Sequence, residues 1–137
     1  MLTQTKVTVR YSETDMMGIV HHSRYFPLFE IARGEHLSQS GITYLECEKR
    51  GLLLPVIESG CRYLRPAFYL DELIVTADLS ELTPAKARYD YEITNQKNET
   101  VAAGFTLHAF VDKDLKPMNV KRKMPDMWEI MQRIKEK

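Results

Sequence analysis

Along the chain, Val7, Val9 and Tyr11 alternate with Thr8 and Arg10, which predicts a strand over Lys6–Ser12. Glu13-Thr14-Asp15-Met16-Met17-Gly18 then breaks the alternation with turn-forming residues. From Ser23 to Ser38 the period becomes helical. Ser23 is a plausible N-cap, Pro27 is tolerated only near a first turn, and Gly41 follows as a stop signal. Tyr25, Phe26, Leu28, Phe29, Ile31 and Ala32 cover most of the helix circumference instead of one stripe, so this helix is expected to be buried.

Downstream the period falls to two. Strands are predicted at Leu53–Arg65, Glu72–Leu82, Lys86–Thr94 and Thr100–Val111, with Pro55 confining the start of the first to an edge or bulge. Turn signals at Thr83-Pro84 and Asn95-Gln96-Lys97-Asn98 keep the connections short, which favours antiparallel pairing. A terminal amphipathic helix is expected from Asp126, with Glu129 as a weaker version of the capping box and Met127, Trp128, Ile130, Met131 and Ile134 on its apolar face. The order predicts an α+β fold: one curled antiparallel sheet around a long buried helix, plus a short C-terminal helix. No repeat, low-complexity tract or linker interrupts residues 1–137, so a single domain is expected. One sheet and one helix leave an edge and some apolar surface uncovered, and homodimerisation is the simplest remedy.

Charge and cysteine content narrow the partners. Nineteen basic residues balance nineteen acidic ones, which argues against nucleic acid or an anionic membrane as a bulk electrostatic partner. No window approaches the roughly 18 apolar residues of a membrane span, and Met1–Lys6 lacks a signal-peptide core. Cys47 and Cys61 have neither metal-site spacing nor a disulfide framework around them, and free thiols are a simpler reading than a bond between them. A cytoplasmic protein is expected.

The candidate chemistry lies between Tyr11 and Tyr25. Asp15 precedes the N-terminus of the buried helix, where unpaired N–H groups carry partial positive charge. Such N–H groups can polarise a carbonyl and stabilise an oxyanion, while a nearby carboxylate acts as nucleophile or general base. An isolated Asp before a helix is ordinarily a cap or turn residue. Spacing changes that weight. Tyr11-x-x-Thr14-Asp15-x-x-Gly18-x-x-x-His22-x-x-Tyr25-x-x-x-x-Glu30-x-Ala32-Arg33 resembles the signature of 4-hydroxybenzoyl-CoA thioesterase-like hotdog proteins. With His at this position it is most similar to bacterial short-chain acyl-CoA thioesterases of the Tol-Pal-associated type. Tyr63-x-Arg65-Pro66-Ala67-x-Tyr69-x-Asp71 resembles the family's strand-turn-strand segment.

The resemblance implies a hotdog fold and hydrolysis of an acyl-CoA thioester, with these roles. Asp15 is the catalytic carboxylate, the His22 backbone N–H polarises the thioester carbonyl, and Tyr25 lines the acyl pocket or supports the catalytic loop. Gly18 lets the backbone pass close to the ligand, with Met17 and Ile19 beside it facing an aliphatic or aromatic acyl group. No metal or dissociable cofactor is implied, since CoA enters as part of the substrate. The sites form between two protomers, and a dimer of dimers is expected. Of three basic clusters (Arg62 with Arg65, Lys86 with Arg88, and Lys121-Arg122-Lys123), Lys86 is the leading candidate for the CoA phosphates, with Arg65 also assigned to substrate binding.

The remaining residues receive plainer readings. His21 and His22 are adjacent and cannot both point into one site, so His21, His36 and His108 are read as structural or surface residues. Glu30 and Arg33 are read as an intrahelical ion pair. Two alternatives stay open: the same chemistry on acyl-carrier-protein thioesters, and a non-catalytic acyl-CoA-binding or scaffold protein.

Overall fold

Two polar turns fix the middle of the sheet. Strand β3 (Glu72–Leu82) meets β4 (Lys86–Thr94) through a turn in which Thr83 Oγ1 accepts from the N–H groups of Ala85 and Lys86. β4 meets β5 (Thr100–Ala109) through a turn closed by the Asn95 carboxamide oxygen, which accepts from Lys97 and Glu99. Strand β1 (Leu2–Thr8) adds to β3 and β2 (Val56–Tyr63) to β5. The result is a five-stranded, wholly antiparallel sheet in the order β1-β3-β4-β5-β2. The computed structural model describes residues 2–136, and among these no helix is long and apolar enough to cross a membrane.

Helix α1 (Tyr25–Gln39) lies across the inner face of this sheet and buries Leu28, Phe29, Ala32, His36 and Leu37. Phe29 stacks flat on Tyr91 of β4, with ring centroids 4.5 Å apart and planes 6° from parallel. Gly104 of β5 makes that approach possible. A Cβ there would stand 2.7 Å from the Phe29 ring and 2.6 Å from the Gly60 carbonyl oxygen. The helix is nevertheless not buried all round. Glu30 and Ile31 face outward, and Ile31 is 51% exposed, because one sheet covers only one side of a helix.

Other sequence expectations shift by a few residues. The first strand runs Leu2–Thr8 instead of Lys6–Ser12, because the Glu13 carboxylate accepts the Arg10 N–H at 2.8 Å and turns the chain into a 3₁₀ turn at Tyr11–Glu13. The strand expected at Leu53–Arg65 runs Val56–Tyr63, starting one residue after Pro55 with a register shift between Val56 and Glu58. The last strand ends at Ala109, two residues before Val111. Two short helices were not expected: α2 (Tyr44–Lys49), capped by Thr43 Oγ1 on the Glu46 N–H, and α3 (Val120–Lys123), capped by Asn119. The terminal helix α4 (Pro125–Glu136) begins one residue early and buries Met127, Trp128, Met131 and Ile134.

Arg33 overturns the expected pair with Glu30. Its guanidinium donates to the hydroxyls of Tyr44 and Tyr91, the latter at 3.0 Å. Tyr91 Oη lies 2.7 Å from Thr106 Oγ1, which lies 2.8 Å from His108 Nε2, and His108 Nδ1 lies 3.0 Å from the Leu54 carbonyl. A carbonyl only accepts and a guanidinium only donates, so the chain of bonds runs one way, from Arg33 to Leu54. Burial holds the His108 imidazole down at about 4, so it stays neutral.

Candidate active site

The segment between β1 and α1 is a tight, heavily bonded loop. Glu13 is buried, and its carbonyl accepts the His21 N–H at 2.9 Å. Asp15 N–H donates to Ile19 at 3.0 Å, and Gly18 N–H returns to the Asp15 carbonyl at 2.9 Å. Gly18 sits at φ +80, a left-handed conformation that strains a residue with a Cβ. Val20 N–H donates to Ala67 at 2.8 Å, tying the loop to the segment after β2.

This folding leaves the Asp15 side chain half committed. Its Oδ1 accepts the Met17 N–H at 2.8 Å, and no hydrogen bond among the described residues uses Oδ2. Asp15 lines an open cleft of about 640 Å³ shared with His22 and Tyr25. A 3₁₀ turn, His22–Arg24, runs directly into α1. The N–H groups of Ser23, Arg24 and Tyr25 go to His21 Nδ1, the His21 carbonyl and the His22 carbonyl. Among the described residues, no bond uses the His22 N–H. The cleft thus combines a free carboxylate oxygen with a free backbone donor at the start of a helix.

The structure gathers most of the residues selected from the sequence. Asp15, Met17, Ile19, His22, Tyr25 and Arg65 all line the cleft, and Gly18 belongs to the same loop. Burial, with the neighbouring Cys61 and Tyr63, pushes the Tyr25 hydroxyl up to about 12. Tyr25 is therefore a neutral hydrogen-bond donor and not a base. Arg65 is less available than expected, since its guanidinium lies 3.6 Å from Glu99. Lys86 does not join the cleft within one chain. It pairs with Ala109 at the far end of β4, seven residues before Ile93, or about 23 Å along the strand. Val120 N–H donates to the Pro84 carbonyl at 3.0 Å, which sets Lys121–Lys123 beside the turn that leads into Lys86. Two of the three basic clusters therefore share one end of the sheet.

Tyr63 and His21 line the cleft without having been selected. Tyr63 closes its β2 side, with its ring edge-on to Tyr25 at 5.1 Å and its hydroxyl 3.5 Å from the His22 carbonyl. Strand alternation was the available signal: Cys61 and Tyr63 fall on the face that β2 turns toward α1. His36 and His108 are buried structural residues, as read; His21 is not remote from the site.

Known proteins bear on this arrangement. A model of the thioesterase-like superfamily matches residues 9–133. The chain belongs to this superfamily. It is 32% identical over 126 residues to YneP of Bacillus subtilis (strain 168), provisionally named an acyl-CoA thioesterase, with 91% of each chain covered. It is 28% identical over 102 residues to the 1,4-dihydroxy-2-naphthoyl-CoA hydrolase of Thermosynechococcus vestitus, covering 74% of this chain and 70% of the relative. The solved DHNA-CoA thioesterase of Staphylococcus aureus superposes with a TM-score of 0.93 at 31% identity, over 98% of this chain and 91% of that one. The hotdog architecture expected from the sequence is thus the observed one.

Proposed function

We propose that this protein hydrolyses acyl-CoA thioesters to a free acid and CoA, with Asp15 as its carboxylate and the His22 N–H as its oxyanion donor. The observation that carries the reading is the pairing, in one cleft, of an unbonded Asp15 oxygen with an unbonded N–H at a helix start. Met17 N–H anchors Oδ1 and leaves Oδ2 for chemistry. Oδ2 either attacks the thioester carbon or takes a proton from an attacking water. In both routes the carbonyl oxygen gains negative charge, the His22 N–H and helix dipole stabilise it, and collapse expels the CoA thiolate; in the covalent route water then cleaves the Asp15 acyl anhydride to release the acid. No metal or organic cofactor has a role in this scheme, and dialysis against a chelator is expected to leave turnover unchanged.

Acyl recognition falls to Met17, Ile19, Tyr25 and Tyr63. Two aromatic rings edge-on at 5.1 Å suit a flat acyl group, in keeping with the 4-hydroxybenzoyl-CoA-like signature, while Met17 adapts to aliphatic chains. A short-chain preference of the Tol-Pal-associated kind and an aromatic preference are both open to the substrate panel below.

The working unit is proposed to be a homodimer joined through β2, an edge strand whose Val56 and Ile57 are about half exposed. A two-fold axis reverses the partner strand, so the partner's Lys86 and Lys121–Lys123 end approaches this chain's cleft. That adds phosphate-binding charge to a cleft lined within one chain by Arg65, which lies 3.6 Å from Glu99. Two dimers are proposed to form a tetramer; light scattering that returns a single-chain mass would refute both. Free Cys47 and Cys61 fit a reducing cytoplasm. The Lys121–Lys123 cluster also suits an acidic acyl-carrier protein, which acyl-CoA and carrier-bound forms of one acyl group would separate by kcat/KM.

The deciding experiment is thiol release from short, long and aromatic acyl-CoAs by wild type and Asp15→Asn. Release by wild type alone supports the reading and ranks the acyl classes. Silence across the panel, with acyl-CoA still bound, would leave a binding protein. Solvent ¹⁸O appearing in Asp15 after a single turnover selects the covalent route.

A further inference from the structure

His21 has no part in the chemistry above, yet its position is held on every side. Its N–H donates to the Glu13 carbonyl and its own carbonyl accepts from Arg24, both at 2.9 Å. Its ring lies 4.2 Å from the His22 ring, tilted by 35°. Its Nδ1 stands 3.3 Å from the Ser23 backbone nitrogen and 2.8 Å from Ser23 Oγ. A backbone N–H can only donate, so Nδ1 presents a lone pair and the ring proton sits on Nε2.

This cap decides which donor is left over. With Ser23 bonded to the imidazole, Arg24 to the His21 carbonyl and Tyr25 to the His22 carbonyl, the His22 N–H is the one left without a partner among the described residues in the first turn of the helical run 22–39. We propose that His21 is a positioning residue of the thioesterase site: its Nδ1 caps the first helical turn and holds the His22 N–H where the oxyanion forms. The inference rests on the reading of that N–H as the oxyanion donor. A proton on Nδ1 sets donor against donor, releases Ser23 and loosens the turn. The His22 ring faces the His21 ring, and Asp15, Tyr25, Tyr63 and Arg65 line the same cleft.

The test joins a tautomer measurement to kinetics. Long-range ¹H–¹⁵N spectra of the wild type near neutral pH should show His21 as the Nε2–H tautomer. His21→Ala should lose about five- to ten-fold in kcat, the scale of a lost N-cap, with KM within about two-fold. His21→Asn has an amide oxygen that accepts the same bonds without titrating. It should recover most of that turnover. An Nδ1–H tautomer, wild-type turnover in His21→Ala, or no recovery of turnover in His21→Asn would each overturn the proposal. If His21→Ala fails to fold, the tautomer and His21→Asn still decide. The reading of the site fails separately, through Asp15→Asn hydrolysing at the wild-type rate, and that result leaves the tautomer standing.

Discussion

Two polar clusters are built on the same helix, and they differ in what each leaves unpaired. At the start of α1, Asp15 keeps one carboxylate oxygen and His22 keeps its N–H, in a cleft open to solvent. Two turns further along, Arg33, Tyr44, Tyr91, Thr106 and His108 bond to one another and to the Leu54 carbonyl, inside the core. The first cluster therefore has groups left over to meet a ligand. The second can only hold α1, β4, β5 and the entry to β2 together. Polar content alone does not mark a site; unspent groups with access do.

Four experiments would break or sharpen that contrast. The largest expected effect is in the open cluster: Asp15→Asn should cut kcat by about 10³-fold or more while leaving the thermal midpoint nearly unchanged. A similar fall in stability would place Asp15 among structural residues instead.

The next effect is a pH dependence of the closed cluster. Folding lowers the His108 value from 6.5 to about 4, so the unfolded chain takes up a proton between those values and the folded chain does not. Stability is therefore fully present above pH 6.5 and declines as pH falls toward 4, by on the order of 3 kcal/mol. Urea midpoints across that range should show this decline in wild type and much less of it in His108→Gln. Equal slopes in both proteins would show that other groups govern the acid limb.

Arg33→Met is expected to cost about 1–3 kcal/mol, because it leaves the Tyr44 and Tyr91 hydroxyls short of a donor. Its kcat should change little if the two clusters are independent; a loss of turnover larger than the loss of folded protein would show that they communicate. The smallest effect belongs to Lys86→Ala, with KM raised about three- to ten-fold and kcat unchanged, since a phosphate contact stabilises ground and transition states alike. An unmoved KM would put the CoA phosphates elsewhere and weaken the proposed pairing through β2.

Much of this was legible in the sequence. β3 and β4 fall where alternation and turn residues predict them, because both signals are local and the two strands sit mid-sheet, where neighbours reinforce the pattern. β1 shifted because the Glu13 carboxylate captures the Arg10 N–H, an event the alternation of Val7, Val9 and Tyr11 does not encode. α2 and α3 escaped notice because helices of six and four residues show no periodicity. At the site, spacing brought Asp15, His22 and Tyr25 together, whereas Tyr63 required knowledge that the end of β2 returns to the start of α1.

The sequence by itself determined the element order, the strand period and the loop before the helix, since each depends on residues near one another along the chain. Only the tertiary structure decided which groups stay unpaired. It gave Arg33 to two tyrosines instead of Glu30, placed Lys86 at the far end of the sheet, and set His21 against Ser23 so that the His22 N–H was left over. A hydrogen-bonding group has few partners, and which one it takes is settled only when distant segments have been brought within about 3 Å.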